Sequence, residues 1–179
     1  MTIFVTGGCK NGKTTFALNQ AMSLGSPRYY VATMLPKDEE ELRCVQRHRK
    51  ARAGMAFTTI EQPFEVHRCF ESVGRSGVFL LDSVTALLAN AMFPPGGGPQ
   101  ANATRQAEAS LGSFLDAAEH AVIVSDYIYS DGGEYAVSSE AFRGGLAALD
   151  RMLARRCDTV VEICAGIPTV HKGELPWIL

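Results

Sequence analysis

The segment Gly7-Gly8-Cys9-Lys10-Asn11-Gly12-Lys13-Thr14 limits what this chain can fold into more than any other part of it. It fits G-x-x-x-x-G-K-[ST]. The apolar run Ile3-Phe4-Val5-Thr6 precedes it, and the helix-forming stretch TTFALNQAM follows. In a strand–loop–helix setting the glycines let backbone N–H groups converge on phosphate oxygens, and the helix N-terminus adds a favourable dipole. In such a loop the lysine reaches the outer phosphates and the hydroxyl of the last residue ligates Mg²⁺. The bland alternative is a glycine-rich turn carrying an exposed lysine, and the flanking strand and helix argue against it.

The rest of the pattern agrees. Short apolar runs at Ile3–Thr6, Arg28–Thr33, Ala56–Ile60, Gly77–Asp82 and Ala121–Ser125 alternate with helix-like segments. Those segments are Thr14–Leu24, Asp38–Arg52, Phe64–Ser72, Ser83–Phe93, Ala103–Ala118 and Ser138–Arg156, the last weakened by Gly144 and Gly145. Asp38 and Glu41 form a capping-box pattern just after Pro36. Thr159–Ala165 and Pro168–His171 read as a closing hairpin, and PPGGGP at 94–99 reads as a loop. Continuous apolar strands that alternate with helices predict an α/β protein. The expected form is a P-loop NTPase fold: a mostly parallel twisted sheet with helices on both faces and a C-terminal antiparallel hairpin. With 179 residues, no internal repeat and no linker, residues 1–179 are expected to form a single P-loop nucleotide-binding domain.

A net charge of −2 argues against a general nucleic-acid binder, and no apolar run is long enough for a membrane span. Five scattered cysteines without a C-x-x-C pair fit a reducing, cytoplasmic setting. His67, His120 and His171 lack metal-like spacing, and surface or core roles are expected for them.

A P-loop needs a second acidic group for its metal. Asp82 ends the apolar run Val78–Leu81, where a parallel strand would deliver a carboxylate beside the loop, so Thr14 and Asp82 are the candidate metal ligands. An N-cap role for Asp82 or Ser83 is compatible with this. The segment DEEELRCVQRHRKAR sets His48 among Arg43, Arg47, Arg49, Lys50 and Arg52. Neighbouring cations should favour the neutral, nucleophilic imidazole and draw in a triphosphate. Read from its residues alone, the segment is more readily a solvated charged helix with a passive histidine.

Taken in order along the chain, FVTGGCKNGKT, YYVAT, DEEELRCVQRHRKAR, TTIEQP, FLLDSVTALLANAMF, VIVSD and VVEICAGIPTVHKG resemble the bifunctional adenosylcobinamide kinase/adenosylcobinamide-phosphate guanylyltransferase family of cobalamin biosynthesis. The resemblance implies two reactions, with Mg²⁺ as cofactor and GTP and ATP as substrates. A nucleoside triphosphate phosphorylates the aminopropanol hydroxyl of adenosylcobinamide. GTP then transfers GMP to an enzyme histidine and on to adenosylcobinamide phosphate. By this likeness His48 is the guanylylated histidine and works with Lys13. The nucleotide is expected at Gly7, Gly8, Cys9, Lys10, Asn11, Gly12, Lys13, Thr14 and Thr15, at Ala32, Thr33 and Met34, at Arg49, Lys50, Ala51 and Arg52, and at Glu61 and Asp82. A homo-oligomer, a ring-like trimer by analogy, is also implied.

The chain departs from the family after VIVS, where it reads Asp126-Tyr127-Ile128-Tyr129 and then SDGGEYAVSSEAF instead of an Asn-Glu pair and a proline-ended loop. Lys10 replaces a usual arginine and keeps its charge without the bidentate fork. Two alternatives stay open on this account: a P-loop kinase or nucleotidyltransferase acting on another small molecule, and a non-catalytic GTP-binding subunit.

Overall fold

The computed structural model describes residues 1–176, with Cys44 and Ala51 described through their backbone only. Its strands are β1 (Thr2–Gly7), β2 (Arg28–Ala32), β3 (Phe57–Glu61), β4 (Val78–Asp82), β5 (His120–Val124), β6 (Thr159–Cys164) and β7 (Ile167–Lys172). They form one sheet in the order β3-β2-β4-β5-β1-β6-β7. All pairings are parallel except β6 with β7, which is the antiparallel hairpin expected at the C-terminus. The helices are α1 (Lys13–Leu24), α2 (Glu39–Ala51), α3 (Phe70–Val73), α4 (Val84–Met92), α5 (Ala103–Ala117) and α6 (Val137–Arg156). Among the described residues no helix is long and apolar enough to cross a membrane.

The strands are apolar on both faces because both are covered. Ile3, Val5, Leu80, Val122, Val124 and Val161 pack with Phe16, Ala17, Leu18 and Ala21 of α1. The alternate residues Phe4, Phe79, Leu81 and Ile123 pack with Leu87 and Leu88 of α4, Leu111 and Phe114 of α5, and Leu146 and Leu149 of α6. This is the period-two alternation of a strand, with each set buried against a different helical layer. Phe79 anchors the second layer. Its ring stacks on Tyr29 at 4.9 Å and meets Phe70 edge-on at 4.8 Å. Burying one such side chain contributes about 1.5–3 kcal/mol.

Local chemistry sets the element ends. Asp38 caps α2 by accepting from the Glu41 amide at 2.8 Å. The Glu41 carboxylate reaches back to the Lys37 amide rather than to the cap residue, so the expected box closes one residue early. Ala56 has φ 55°, which turns the chain before β3 and starts that strand at Phe57. The helix expected over Phe64–Ser72 is a 3-10 turn (Val66–Cys69) followed by the single turn of α3. Glu65 enters it at φ 43° and Gly74 ends it at φ 78°. The glycine pair does not interrupt α6, since Gly145 lets α6 approach its neighbours closely. A Cβ there would lie 2.5 Å from Thr104 Oγ1 and 3.3 Å from Leu88.

The sheet order positions the site. After β1 the chain crosses β5 and β4 to form β2, and later strands fill the gap. Register pairs Ala32 with Asp82, Asp82 with Val124, and Val5 with Val124. The ends of β1, β2, β4 and β5 therefore share one edge, and ligands bind in such a crevice outside the carboxyl ends of parallel strands.

Candidate active site

The glycine loop leaves β1 at that edge. Gly7 has φ 146°, and a Cβ on it would collide with the Ile163 carbonyl of β6, so only glycine fits between the two strands. Gly12, at φ 91°, caps α1. The loop is braced from the far side, where the Gly166 amide of the β6–β7 turn donates to the Asn11 carbonyl at 3.2 Å. Lys13 is buried, 5% exposed, although it is a lysine. Its ammonium donates to the Gly8 carbonyl at 2.7 Å and pairs with the Asp126 carboxylate at 2.8 Å. Asp126 follows β5. Its amide donates to Thr85 Oγ1, and the Tyr127 amide donates to the Gly7 carbonyl, so this segment is fixed against the loop.

The second half of the site is built on Asp82. Its Oδ2 accepts from Thr14 Oγ1 at 3.3 Å and from the Tyr30 hydroxyl at 2.7 Å, and it lies 3.1 Å from His48 Nδ1. The Tyr30 hydroxyl is itself 3.1 Å from Nδ1. One carboxylate oxygen thus joins the P-loop, β2 and α2. Burial pushes the Asp82 pKa up, but hydrogen bonding and charge from His48, with the hydroxyls of Tyr30 and Thr14, more than offset this and hold it below the usual carboxylate range. With Nδ1 committed to the carboxylate, Nε2 is the ring nitrogen that can act towards the cleft.

His48 borders a narrow cleft of about 40 Å³ with Tyr30, Ala32, Met34, Arg52 and Glu61. Arg52 is buried. Its guanidinium lies 4.0 Å above the Tyr30 ring, and its Nε and Nη2 donate to Thr59 Oγ1. A wider groove of about 630 Å³ continues past Arg49, Arg52, Phe57 and Thr59, with Arg49 and Glu61 paired at 3.1 Å on its rim.

Of the residues singled out in the sequence, Lys13, Thr14, Asp82, His48, Ala32, Met34, Arg52 and Glu61 come together at this edge, and Arg49 lies just outside. Lys50 is exposed and borders neither opening. The side chain of Ala51, like that of Cys44, lies outside the described residues. Gly8 and Asn11 are half-buried within the loop, while Cys9, Lys10 and Thr15 are exposed along it, with Lys10 at φ 59°. Thr33 is fully buried, and its hydroxyl both donates to the Ser83 carbonyl and accepts from the Ser83 amide, each at 2.7 Å. It secures the β4–α4 junction and does not line the cleft. The expected electrostatics of His48 are corrected. The charged group against its ring is a carboxylate, because Arg43 pairs with Glu39, Arg49 with Glu61, and Arg52 stacks on Tyr30.

Sequence reasoning missed Tyr30 and the Lys13–Asp126 pair. For Tyr30 the signal was a hydroxyl-bearing aromatic two residues from the end of a strand next to β4. For Asp126 it was an acid directly after a β5 run that mirrors the one ending at Asp82.

A glycine loop between a parallel strand and a helix, with a buried lysine and a strand-end carboxylate, defines a P-loop nucleotide-binding protein. Solved structures agree in fold. A prototypical ATPase of the type III secretion system of pathogenic bacteria superposes with a TM-score of 0.52 at 14% identity, over 90% of this chain and 50% of that one. The chain thus spans half the length of that ATPase. A KaiC-like protein of the archaeon Pyrococcus horikoshii OT3 superposes at 0.51 with 12% identity, over 97% of this chain and 80% of that one. At these identities the likeness is one of fold. The sequence carries the assignment further: residues 3–170 match the family model described as cobinamide kinase / cobinamide phosphate guanyltransferase (CobU), and the chain belongs to that family. It is 27% identical to the bifunctional adenosylcobalamin biosynthesis protein CobP of Pseudomonas aeruginosa, over 97% of this chain and 99% of the relative.

Proposed function

We propose that this chain, working as one P-loop unit, phosphorylates adenosylcobinamide and transfers GMP from GTP to adenosylcobinamide phosphate through a GMP–His48 intermediate. The observation that carries this reading is that Thr14 of the P-loop and His48 of α2 meet on the same oxygen of Asp82.

Asp82 Oδ2 holds the Nδ1 side of the ring. This orients His48 and stabilises the positive charge that the ring gains when Nε2 attacks the α-phosphorus of GTP. The N–P bond forms as the bond to pyrophosphate breaks. A phosphate oxygen of the acceptor then attacks the same phosphorus and returns the electron pair to Nε2. Splitting the transfer in this way makes two in-line displacements of one difficult step. Lys13 and the loop amides neutralise the outer phosphates in both the kinase and the transferase half. Thr14 and Asp82 are a hydroxyl and a carboxylate 3.3 Å apart, oxygen donors suited to Mg²⁺, which supplies charge neutralisation on the phosphates when bound. On this reading Arg52, Glu61, Ala32 and Met34, which border the cleft with His48, contact the guanosine portion. A second reading, the same chemistry on a different small acceptor, draws its support from the departure at Asp126–Tyr135.

The test is incubation with α-labelled GTP and Mg²⁺, with His48→Ala and Lys13→Ala in parallel. Acid-labile, alkali-stable label on the wild type and on neither variant is expected. Label that persists on His48→Ala would place the nucleophile elsewhere. Wild-type protein that binds GTP without labelling would remove the transferase half.

A further inference from the structure

A second recess shares no lining residue with the His48 cleft. It encloses about 400 Å³ between the end of α4, the connection leaving β5 and the first turns of α6. Phe93, Ile128, Tyr135 and Phe142 give it apolar walls, with the Phe93 and Phe142 rings 6.3 Å apart. Val137, the first residue of α6, is 89% exposed.

The polar part of the recess is organised around Arg143, whose side chain is only 10% exposed. Its guanidinium stacks 4.3 Å over the Tyr135 ring, pairs with Asp131 at 2.9 Å and pairs with Glu140 at 2.5 Å. Its Nε is buried without a hydrogen-bond partner among the described residues. Asp131 lines the recess and also accepts from the Gly133 amide and the Tyr135 hydroxyl; it and Glu140, next to the lining residue Ser139, both remain about half exposed. The segment 127–143 carries Asp131, Glu134 and Glu140 against the single cation Arg143, three negative charges to one positive. Buried arginine fixes the loop, and the uncompensated charge left at the rim is negative.

Position links the recess to the reaction. Ile128 on its wall is two residues from Asp126, whose carboxylate touches the Lys13 ammonium at 2.8 Å.

We infer that this recess binds the acceptor of the phosphoryl-transfer reaction: a cationic amphipathic molecule with an apolar face and amide or hydroxyl donors on its edge. The inference rests on the proposed function, in which the acceptor is adenosylcobinamide. An alkyl-cobalt(III) corrin without a phosphate carries one net positive charge, and its periphery presents amide N–H groups. The rim carboxylates complement both, and the aromatic walls complement the faces of the macrocycle. A recess of this volume takes one edge of so large a molecule and leaves the rest in solvent.

The test is calorimetric titration of adenosylcobinamide into the full chain, alone and with a saturating non-hydrolysable GTP analogue. Ser139→Trp, which fills the recess from α6, should weaken binding at least about tenfold. The near-isosteric Asp131→Asn should weaken it roughly fivefold. Binding of the GTP analogue should be unchanged in both, which also shows that they are folded. Binding of the corrinoid should survive saturation with the analogue. Wild-type affinity in both variants, displacement by the analogue, or no binding to the wild type would each overturn the inference. The proposed function fails separately: absence of GMP–His48 label, with corrinoid binding still lost in the recess variants, would remove the intermediate and leave the recess standing.

Discussion

Asp150 of α6 should cost the fold stability at neutral pH, and replacing it with asparagine should recover part of that cost. The carboxyl group is 3% exposed and accepts from the Tyr129 hydroxyl at 3.0 Å. Its other oxygen and the nearby Ser125 hydroxyl make no hydrogen bond of normal geometry. Burial is the largest influence on its pKa. The Ser125 and Tyr129 hydroxyls oppose it, the Asp126 charge adds to it, and the pKa rises from 3.8 to about 6. A carboxyl whose pKa is raised by folding favours the folded state below its unfolded value and loses that advantage as pH climbs through the folded value. The loss therefore falls between about pH 4 and 6, and the full shift corresponds to a penalty of about 3 kcal/mol. Asp150→Asn removes the charge, keeps an acceptor for Tyr129 and supplies an N–H towards Ser125. Because the new amide must still be satisfied, a gain of about 1–2 kcal/mol at pH 7.5 is expected, roughly 3–6 °C in melting temperature. At pH 4 the two proteins should be equally stable. Urea unfolding of both at pH 4, 6 and 7.5 checks this. A difference that does not change with pH, or an asparagine variant less stable at pH 7.5, would refute the reasoning.

Adjacent glycines of α6 should respond in opposite directions to alanine. Gly144 faces open space and Gly144→Ala should stabilise by about 0.5–1 kcal/mol, whereas Gly145→Ala meets Thr104 and Leu88 and should destabilise by about 1–3 kcal/mol, both read from denaturant midpoints. Tyr30→Phe removes the 2.7 Å hydrogen bond to Asp82 and should slow GMP labelling of His48 on the order of tenfold, measured by single-turnover quench with α-labelled GTP. Gly7→Ala forces a Cβ onto the Ile163 carbonyl at a left-handed φ and should destabilise by about 3 kcal/mol, with GTP affinity lost in proportion, as calorimetry would show.

The parts of this molecule that were legible in the sequence are those written in contiguous residues. Strand–loop–helix order, the P-loop, the acid closing β4 and the histidine on a capped polar helix all depend on neighbours along the chain, and the structure places them as expected. What was not legible depends on strand order. Tyr30 and Asp82 are 52 residues apart and meet because β2 lies beside β4 in register. Lys13 and Asp126 meet because β5 lies beside β1. Charge counting along α2 suggested an imidazole among cations, but a helix radiates its side chains, so the arginines found Glu39, Glu61 and Tyr30 while the ring turned inward to a carboxylate. The same argument explains why Asp82 is the node of the site. A parallel strand delivers its last side chain to the crevice, and β4 is flanked on one side by β2, which brings Tyr30 and leads into α2, and on the other by β5, beyond which β1 leads into the P-loop. Asp82 is thus the strand-end acid on which both Thr14 and His48 converge, whereas Arg43 and Arg49 of the same helix pair with Glu39 and Glu61, away from the P-loop hydroxyl.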